Sequence, residues 1–111
     1  MIKIREFKPN SPGWVMAKFF NCWKRRAWVQ MLAYIQPSWL AQHEEPNRTL
    51  RLSLHTLVDA EFVQVNAETG ITTVFLVDIR RKSDYHADQS VKAVRLVREG
   101  KKWGIDPGSI I

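Results

Sequence analysis

The chain carries one cysteine, Cys22, in 111 residues. A single thiol forms no internal disulfide, and no cysteine cluster is available for a structural metal. Long apolar runs are also missing: none approaches the roughly 20 residues of a membrane-spanning helix. The opening MIKIREFKPNSPG has no continuous apolar segment after its first charges, so no secretory signal is expected and a cytoplasmic location is the default. Glycines are few, and Gly100 and Gly104 flank a candidate strand instead of opening a helix, which removes the usual phosphate-binding loop. Repeats, linkers and low-complexity stretches are absent. At this length one core is possible and two ordinary domains are not. A single domain over residues 1–111 is therefore expected, with residues 1–10 as a tail or an edge strand.

What is present belongs to a folded chain. Apolar residues make up 45% and charged residues 25%, a balance that excludes an intrinsically disordered protein. Five tryptophans are many for the length, and most are expected as anchors in the core or at its margin. The net charge of +6 permits contact with a polyanion by long-range attraction. The cations are dispersed, however, in short clusters at Lys24-Arg25-Arg26, Arg80-Arg81-Lys82 and Lys101-Lys102. Such a distribution is first of all a solvated surface.

The most informative stretch is ITTVFLVDIRR, Ile71–Arg81. Ile71, Thr73, Phe75, Val77 and Ile79 alternate onto one face while Val74 and Leu76 occupy the other. This is the pattern of a central strand covered on both sides. Upstream, Ser11-Pro12-Gly13 reads as a helix opening, and Val15, Phe19, Cys22 and Trp23 give an apolar stripe widened by Met16 and Phe20. That helix is expected to end at Lys24-Arg25-Arg26, where cations suit the C-terminal dipole. Trp28, Met31, Leu32 and Ile35 predict a second helix, stopped at Gln36 by Pro37. Ser38, Trp39 and Leu40 begin a short turn. Asn47 is placed as the cap of a third helix carrying Leu50, Leu54 and Leu57, although Leu50, Leu52 and Leu54 also alternate as a strand would, and the helix is favoured over residues 47–56. From Val58 the pattern becomes β, with Phe62 on one face and Val63 and Val65 on the other. Glu68-Thr69-Gly70 turns the chain into the central strand. Ser83–Asp88 is read as a polar connection. A third strand over Val91–Val97, a turn at Glu99-Gly100 and a fourth strand over Lys102–Ile105 complete the order. The fold class is thus α+β: N-terminal helices packed on a curved, mainly antiparallel four-stranded sheet, cone-like in shape.

Two segments carry a resemblance. Pro37-Ser38-Trp39 looks like the segment that ends the helical half of the nuclear transport factor two-like, or cystatin-like, superfamily. VKAVRLVREGKKWGID, Val91–Asp106, resembles its closing hairpin. The resemblance spans roughly Pro12–Ile105. It implies a sheet wrapped around the first helix with a cavity at its wide end, and members that range from isomerases and dehydratases to adaptors without activity. Fold of this kind does not fix function.

On that expectation the hydrophobic pocket is lined by Phe19, Trp23, Trp28, Tyr34, Phe62, Phe75 and Val77, which either fill the cone or leave space for an apolar small molecule. Val74, Leu76, Val94 and Leu96 form the candidate interface of a homodimer through the outer sheet face. Catalysis would need a buried carboxylate or imidazole facing a donor, and Asp59, Glu61, Asp78, Tyr34, His55 and His86 are the candidates. Asp78 is expected to pair with Arg80 or Arg95. His55 reads as a capping or surface group, and His86 with Asp84 and Asp88 is a poor metal site. No pair matches the enzymatic members position for position, so no catalytic residue, metal or cofactor is assigned. Cys22 reads as a packed thiol. Basic and aromatic residues interleave over Trp23, Lys24, Arg25, Arg26 and Trp28, where core packing accounts for the aromatics better than stacking on nucleic acid does. The sequence thus favours a non-enzymatic ligand-binding or protein-interaction domain that dimerises through its sheet. An isomerase-like or dehydratase-like enzyme of the cone, acting on an apolar carbonyl compound, comes second and a nucleic-acid binder third.

Overall fold

In the computed structural model, residues 6–110 are described. The N-terminal alternation of Ile2 and Ile4 lies outside them. Helix α1 spans Pro12–Arg25. Ser11 starts it as read from the sequence, its hydroxyl accepting from the Trp14 N–H at 3.3 Å. Arg26 stops it in the left-handed region at φ 58°. The face buried on the sheet is Val15, Met16, Phe19, Phe20, Cys22 and Trp23. Full burial of side chains of this size contributes roughly 1.5–3 kcal/mol each. Trp23 also finds a partner for its indole N–H, the carbonyl of His55 at 3.2 Å.

The second helix is shorter than the apolar spacing predicts. Helix α2 is one turn, Trp28–Met31, followed by a 3-10 turn over Leu32–Tyr34. Ile35 leaves the helix with extended dihedrals and forms a parallel bridge with Ile105. The Gln36 N–H then donates to the Ile105 carbonyl at 2.9 Å. Pro37 disfavours helical dihedrals just before it, and the open edge of the last strand offers the freed backbone a partner. Helix α3, Pro37–Ala41, and helix α4, Pro46–Leu50, are single turns as well. Glu45, not Asn47, is the residue before α4, and the segment expected as a longer helix breaks at Arg51, φ 55°, into a 3-10 turn over Leu52–Leu54.

Four strands follow: β1 Thr56–Glu68, β2 Thr72–Lys82, β3 Ala87–Glu99 and β4 Lys102–Ile105. They form one antiparallel sheet in the order β1-β2-β3-β4, not closed into a barrel. β3 begins four residues before the expected start, so part of the polar connection belongs to the ladder. β1 carries register shifts between Leu57 and Asp59, Phe62 and Gln64, and Val65 and Ala67. Each such bulge bends the strand and raises its twist, which curves the sheet toward α1. A further consequence corrects the sequence reading. Phe62 pairs with Val77 and Val65 with Phe75, so the bulge at Val63 returns Val65 to the same side as Phe62.

Phe75, Val77 and Ile79 of β2 and Val94 and Leu96 of β3 face α1 and are buried together with Ile105. At 19 Å along its shortest axis, the molecule is one sheet with one layer of helix. The opposite sheet face has no helix on it among the described residues. Val74 and Leu76 point there, as the alternation of β2 requires, opposite Arg95 and Ala93. Val94 and Leu96 do not join them. They pair with Phe75 and Thr73 and are fully buried in the core. The four-residue outer patch is therefore corrected to Val74 and Leu76, flanked by Ala93 and the exposed Val91.

Candidate functional site

The expected pocket inside the cone is filled. Phe19, Trp23, Phe75 and Val77 are core residues with at most 4% of their surface exposed. Phe62 is half-buried and belongs to a three-ring cluster in which Phe7 lies 5.7 Å from Phe62 and 5.8 Å from Phe75. Phe7 thus occupies the space the sequence left open above the sheet. Its ring also lies where any side chain at position 13 would begin, so a Cβ there would displace Phe7 and Gly13 suits this closure. Trp28 stands elsewhere, with the Arg26 guanidinium 5.1 Å from its ring centre. It borders a groove of about 200 Å³ with Met31, Asn47 and Leu50.

Tyr34 reaches a second and larger recess. Three elements converge there. The cap at Ser11 fixes Trp14 in the first turn of α1, and the 3-10 turn ends on Tyr34, whose ring meets that of Trp14 edge-on at 6.0 Å and 78°. Gly100, at φ 65°, turns the chain from β3 into β4 and sets Lys101, Lys102 and Trp103 along the opposite wall. With Asn10, Val15 and Ala33 these residues enclose a cleft of about 330 Å³. All three rings are half-buried. The ammonium of Lys18, one helical turn after Trp14, lies 5.2 Å from the centre of the Trp14 ring. The described lining contains no carboxylate, imidazole or thiol.

Glu99, the register partner of Lys102, is tied down outside the lining. Glu99 accepts from the backbone N–H of Ser38 at 2.9 Å, from its hydroxyl and from the Gln36 side-chain amide at 2.9 Å. These bonds, the Ser38 hydroxyl foremost, hold the carboxyl below the ordinary glutamate range. They clamp the β3–β4 turn, and with it the lysine wall, onto the segment that carries Tyr34. A carboxylate with a lowered folded-state pKa contributes stability above its unfolded value, and loses that contribution as pH falls through the folded value. Glu99→Gln is expected to lower stability at neutral pH and to converge with the parent at acid pH, flattening the acid limb of a pH–stability profile, as read by chemical denaturation across pH.

Of the other candidates for chemistry, three carboxylates share one recess and the histidines lie apart from them. Asp59, Glu61 and Asp78 lie on the outer sheet face with Arg80 and Gln89. Asp78 is held by the Gln89 amide at 2.9 and 3.2 Å, not by the arginines expected for it. Arg80 approaches Asp59 at 3.7 Å, and Arg95 pairs with Asp106 at 3.1 Å. His55 sits at the junction into β1, and its contribution to the core is its carbonyl. His86 lies 3.9 Å from Asp88 in an exposed position. Among the described residues no group of three or more such side chains could hold a metal ion. Cys22 is buried, with the Arg25 guanidinium 3.8 Å from its sulfur.

Sequence reasoning missed Trp14 and Trp103, and named Lys101-Lys102 only as a dispersed basic cluster, not as part of a pocket. Lys101-Lys102-Trp103 is itself a basic and aromatic run, the same signal noted at Trp23–Trp28. What separates the two is a long-range fact: Trp23 points into the core, whereas Trp103 lies at the open end of the inner face.

No protein-family model and no curated protein matches the chain. The fold has a counterpart in the solution structure of a SEC-C motif containing protein from Rhodopseudomonas palustris, with a TM-score of 0.70 over 87% of this chain and 76% of that one. At 8% identity the likeness is one of fold. It overturns the nuclear transport factor two-like and cystatin-like resemblance, since the matching architecture is that of a SEC-C motif protein. The segments behind that resemblance, a proline-ended helix and a charged-glycine hairpin, are what any helix-then-meander chain needs at those turns. No described helix is long and apolar enough to cross a membrane.

Proposed function

We propose that the protein is a non-enzymatic ligand-binding domain, and that its ligand lies in the cleft between the start of α1, the 3-10 turn at Leu32–Tyr34 and the β3–β4 turn. The observation that carries this reading is the convergence of Trp14, Tyr34 and Trp103 with Lys101 and Lys102 around one recess. Half-buried aromatic rings from three separate elements are an expensive way to build surface unless something covers them. Catalysis on a carbonyl compound fits poorly here, because the described lining sets Tyr34 beside lysines and offers no carboxylate or imidazole to face it as a base. Self-association through the outer sheet face is not part of this reading, because half of the patch that motivated it lies in the core.

The five tryptophans provide the test. Small aromatic compounds, anionic, neutral and cationic, are titrated while the indole N–H resonances are followed by NMR. Binding in the cleft is expected to move the Trp14 and Trp103 signals and leave buried Trp23 unmoved. Hits that move Trp28 or Trp39 and spare Trp14 and Trp103 would place the ligand elsewhere and end this proposal.

A further inference from the structure

Resting on that reading of the cleft, we infer that its ligand is a nucleotide, a flat heteroaromatic base carrying phosphate, taken either free or as one unit of a single strand. The residues decide between chemical classes. An aromatic recess of three rings is also the form of a cage for quaternary ammonium groups. Here such a cation would meet Lys101 and Lys102, and Lys18 already occupies one face of Trp14. Without a carboxylate in the described lining nothing offsets that repulsion, so the site disfavours a cation, and a ligand carrying negative charge is the one that uses the lysines. A bare inorganic anion would leave the rings of Trp14, Tyr34 and Trp103 unused. A long-chain or steroid-sized apolar ligand needs more room than about 330 Å³, which lies at the small end of ligand sites.

A ring system with an attached phosphate uses both halves of the site. The base stacks on an indole, as bases do on aromatic platforms of every sequence preference. The phosphate meets the lysines of the β3–β4 turn as point charges. Glu99, the register partner of Lys102, spends its carboxylate oxygens on Ser38 and Gln36. Because the cleft lies at the surface, a strand can pass through it with one nucleotide seated. The net charge of +6 adds attraction at long range.

The experiment titrates the full chain with a nucleoside monophosphate and with a short single-stranded oligonucleotide. Fluorescence anisotropy and the Trp14 and Trp103 indole signals are read at two salt concentrations. The expected result is binding by at least one of them, with two lysine–phosphate contacts weakening strand binding about sevenfold between roughly 50 and 200 mM salt, at about −0.7 in log–log slope per contact. Binding of the strand alone assigns the site to nucleic acid, and equal binding of both assigns it to the free nucleotide. Lys101→Glu with Lys102→Glu, both exposed and so compatible with folding, is expected to lower affinity at least tenfold and flatten the salt dependence. Trp14→Leu is expected to cost on the order of 10- to 100-fold through lost stacking. Affinity unchanged in the lysine variant overturns the inference. So does failure of both ligands to bind in low salt: if anionic aromatic compounds still move the Trp14 and Trp103 signals, the cleft stands and only the nucleotide is lost, whereas if nothing moves them, both readings fall.

Discussion

Gly104→Ala is expected to destabilise the fold by about 3 kcal/mol, the upper part of the range for forcing an extra methyl into a packed site. A Cβ built at Gly104 would stand 2.6 Å from both the Cα and the N of Gln36 and 2.9 Å from the carbonyl carbon of Ile35. Those atoms are backbone, so no rotamer change relieves the clash. The contact exists because the chain at Ile35–Gln36 lies against β4, bridging Ile105 and donating to its carbonyl. Separating the two segments to admit a methyl would break that hydrogen bond and loosen Ile105, which is fully buried. For a chain of this size each kcal/mol moves Tm by about 3–5 °C, so a fall of roughly 10 °C or more is expected in a thermal melt. Gly70→Ala is the control. Nothing lies within 4 Å of a Cβ there, and its φ is not in the left-handed range, so its melt should match the parent within about 2 °C. Equal melts for the two variants would mean that the Ile35–Ile105 bridge is not formed.

That bridge also explains where the sequence was legible and where it was not. Local signals located the elements that local chemistry decides. Ser11-Pro12 opened α1, the alternation in Ile71–Arg81 placed the inner face of β2, and Glu68–Gly70 and Glu99-Gly100 turned the hairpins. The errors arose where a distant partner outcompeted a local preference. Trp28–Ile35 has helical spacing, yet Ile35 is worth more to the fold as a neighbour of Ile105. Val65 was set on the wrong face because a bulge at Val63 has no signature in hydrophobic alternation. Phe7 falls in the stretch that reads as a tail or an edge strand, although its ring closes the space above Phe62 and Phe75. The site was hidden for the same reason. Trp14, Tyr34 and Lys101–Trp103 are separated by about 20 and 67 residues along the chain, and only the packing of α1 across the sheet brings them to one recess.

The strand pairing itself makes the second large prediction. Leu76 and Leu96 have the same side chain, lie on neighbouring strands, and read alike in the sequence as outer-face residues. The register separates them: Leu76 pairs with Ala93 on the outer face, whereas Leu96 pairs with Thr73 and Ile105 and has no exposed surface. Lysine at position 96 must bury an ammonium among Phe75, Val94 and Ile105 or displace the helix that covers them. An unpaired charge there costs several kcal/mol, a large share of the 5–15 kcal/mol by which a domain of this kind is stable. Leu96→Lys is therefore expected to leave the chain unfolded or molten, with near-ultraviolet dichroism lost and amide dispersion collapsed. Lysine at position 76 projects from a half-buried site toward solvent, with Asp78 two residues along on the same face. Its cost should stay within about 1 kcal/mol, the range for substitutions away from the core. Chemical denaturation of the two variants side by side decides the point. A slip of one residue in the β2–β3 pairing would set Leu96 opposite Thr72 or Val74 and so put it on the same face as Leu76, and the two variants would then behave alike, both surviving or both unfolding. In that event Phe75 and Val94, now register partners, would fall on opposite faces, and the core against which α1 positions Trp14 for the cleft would lose one of them.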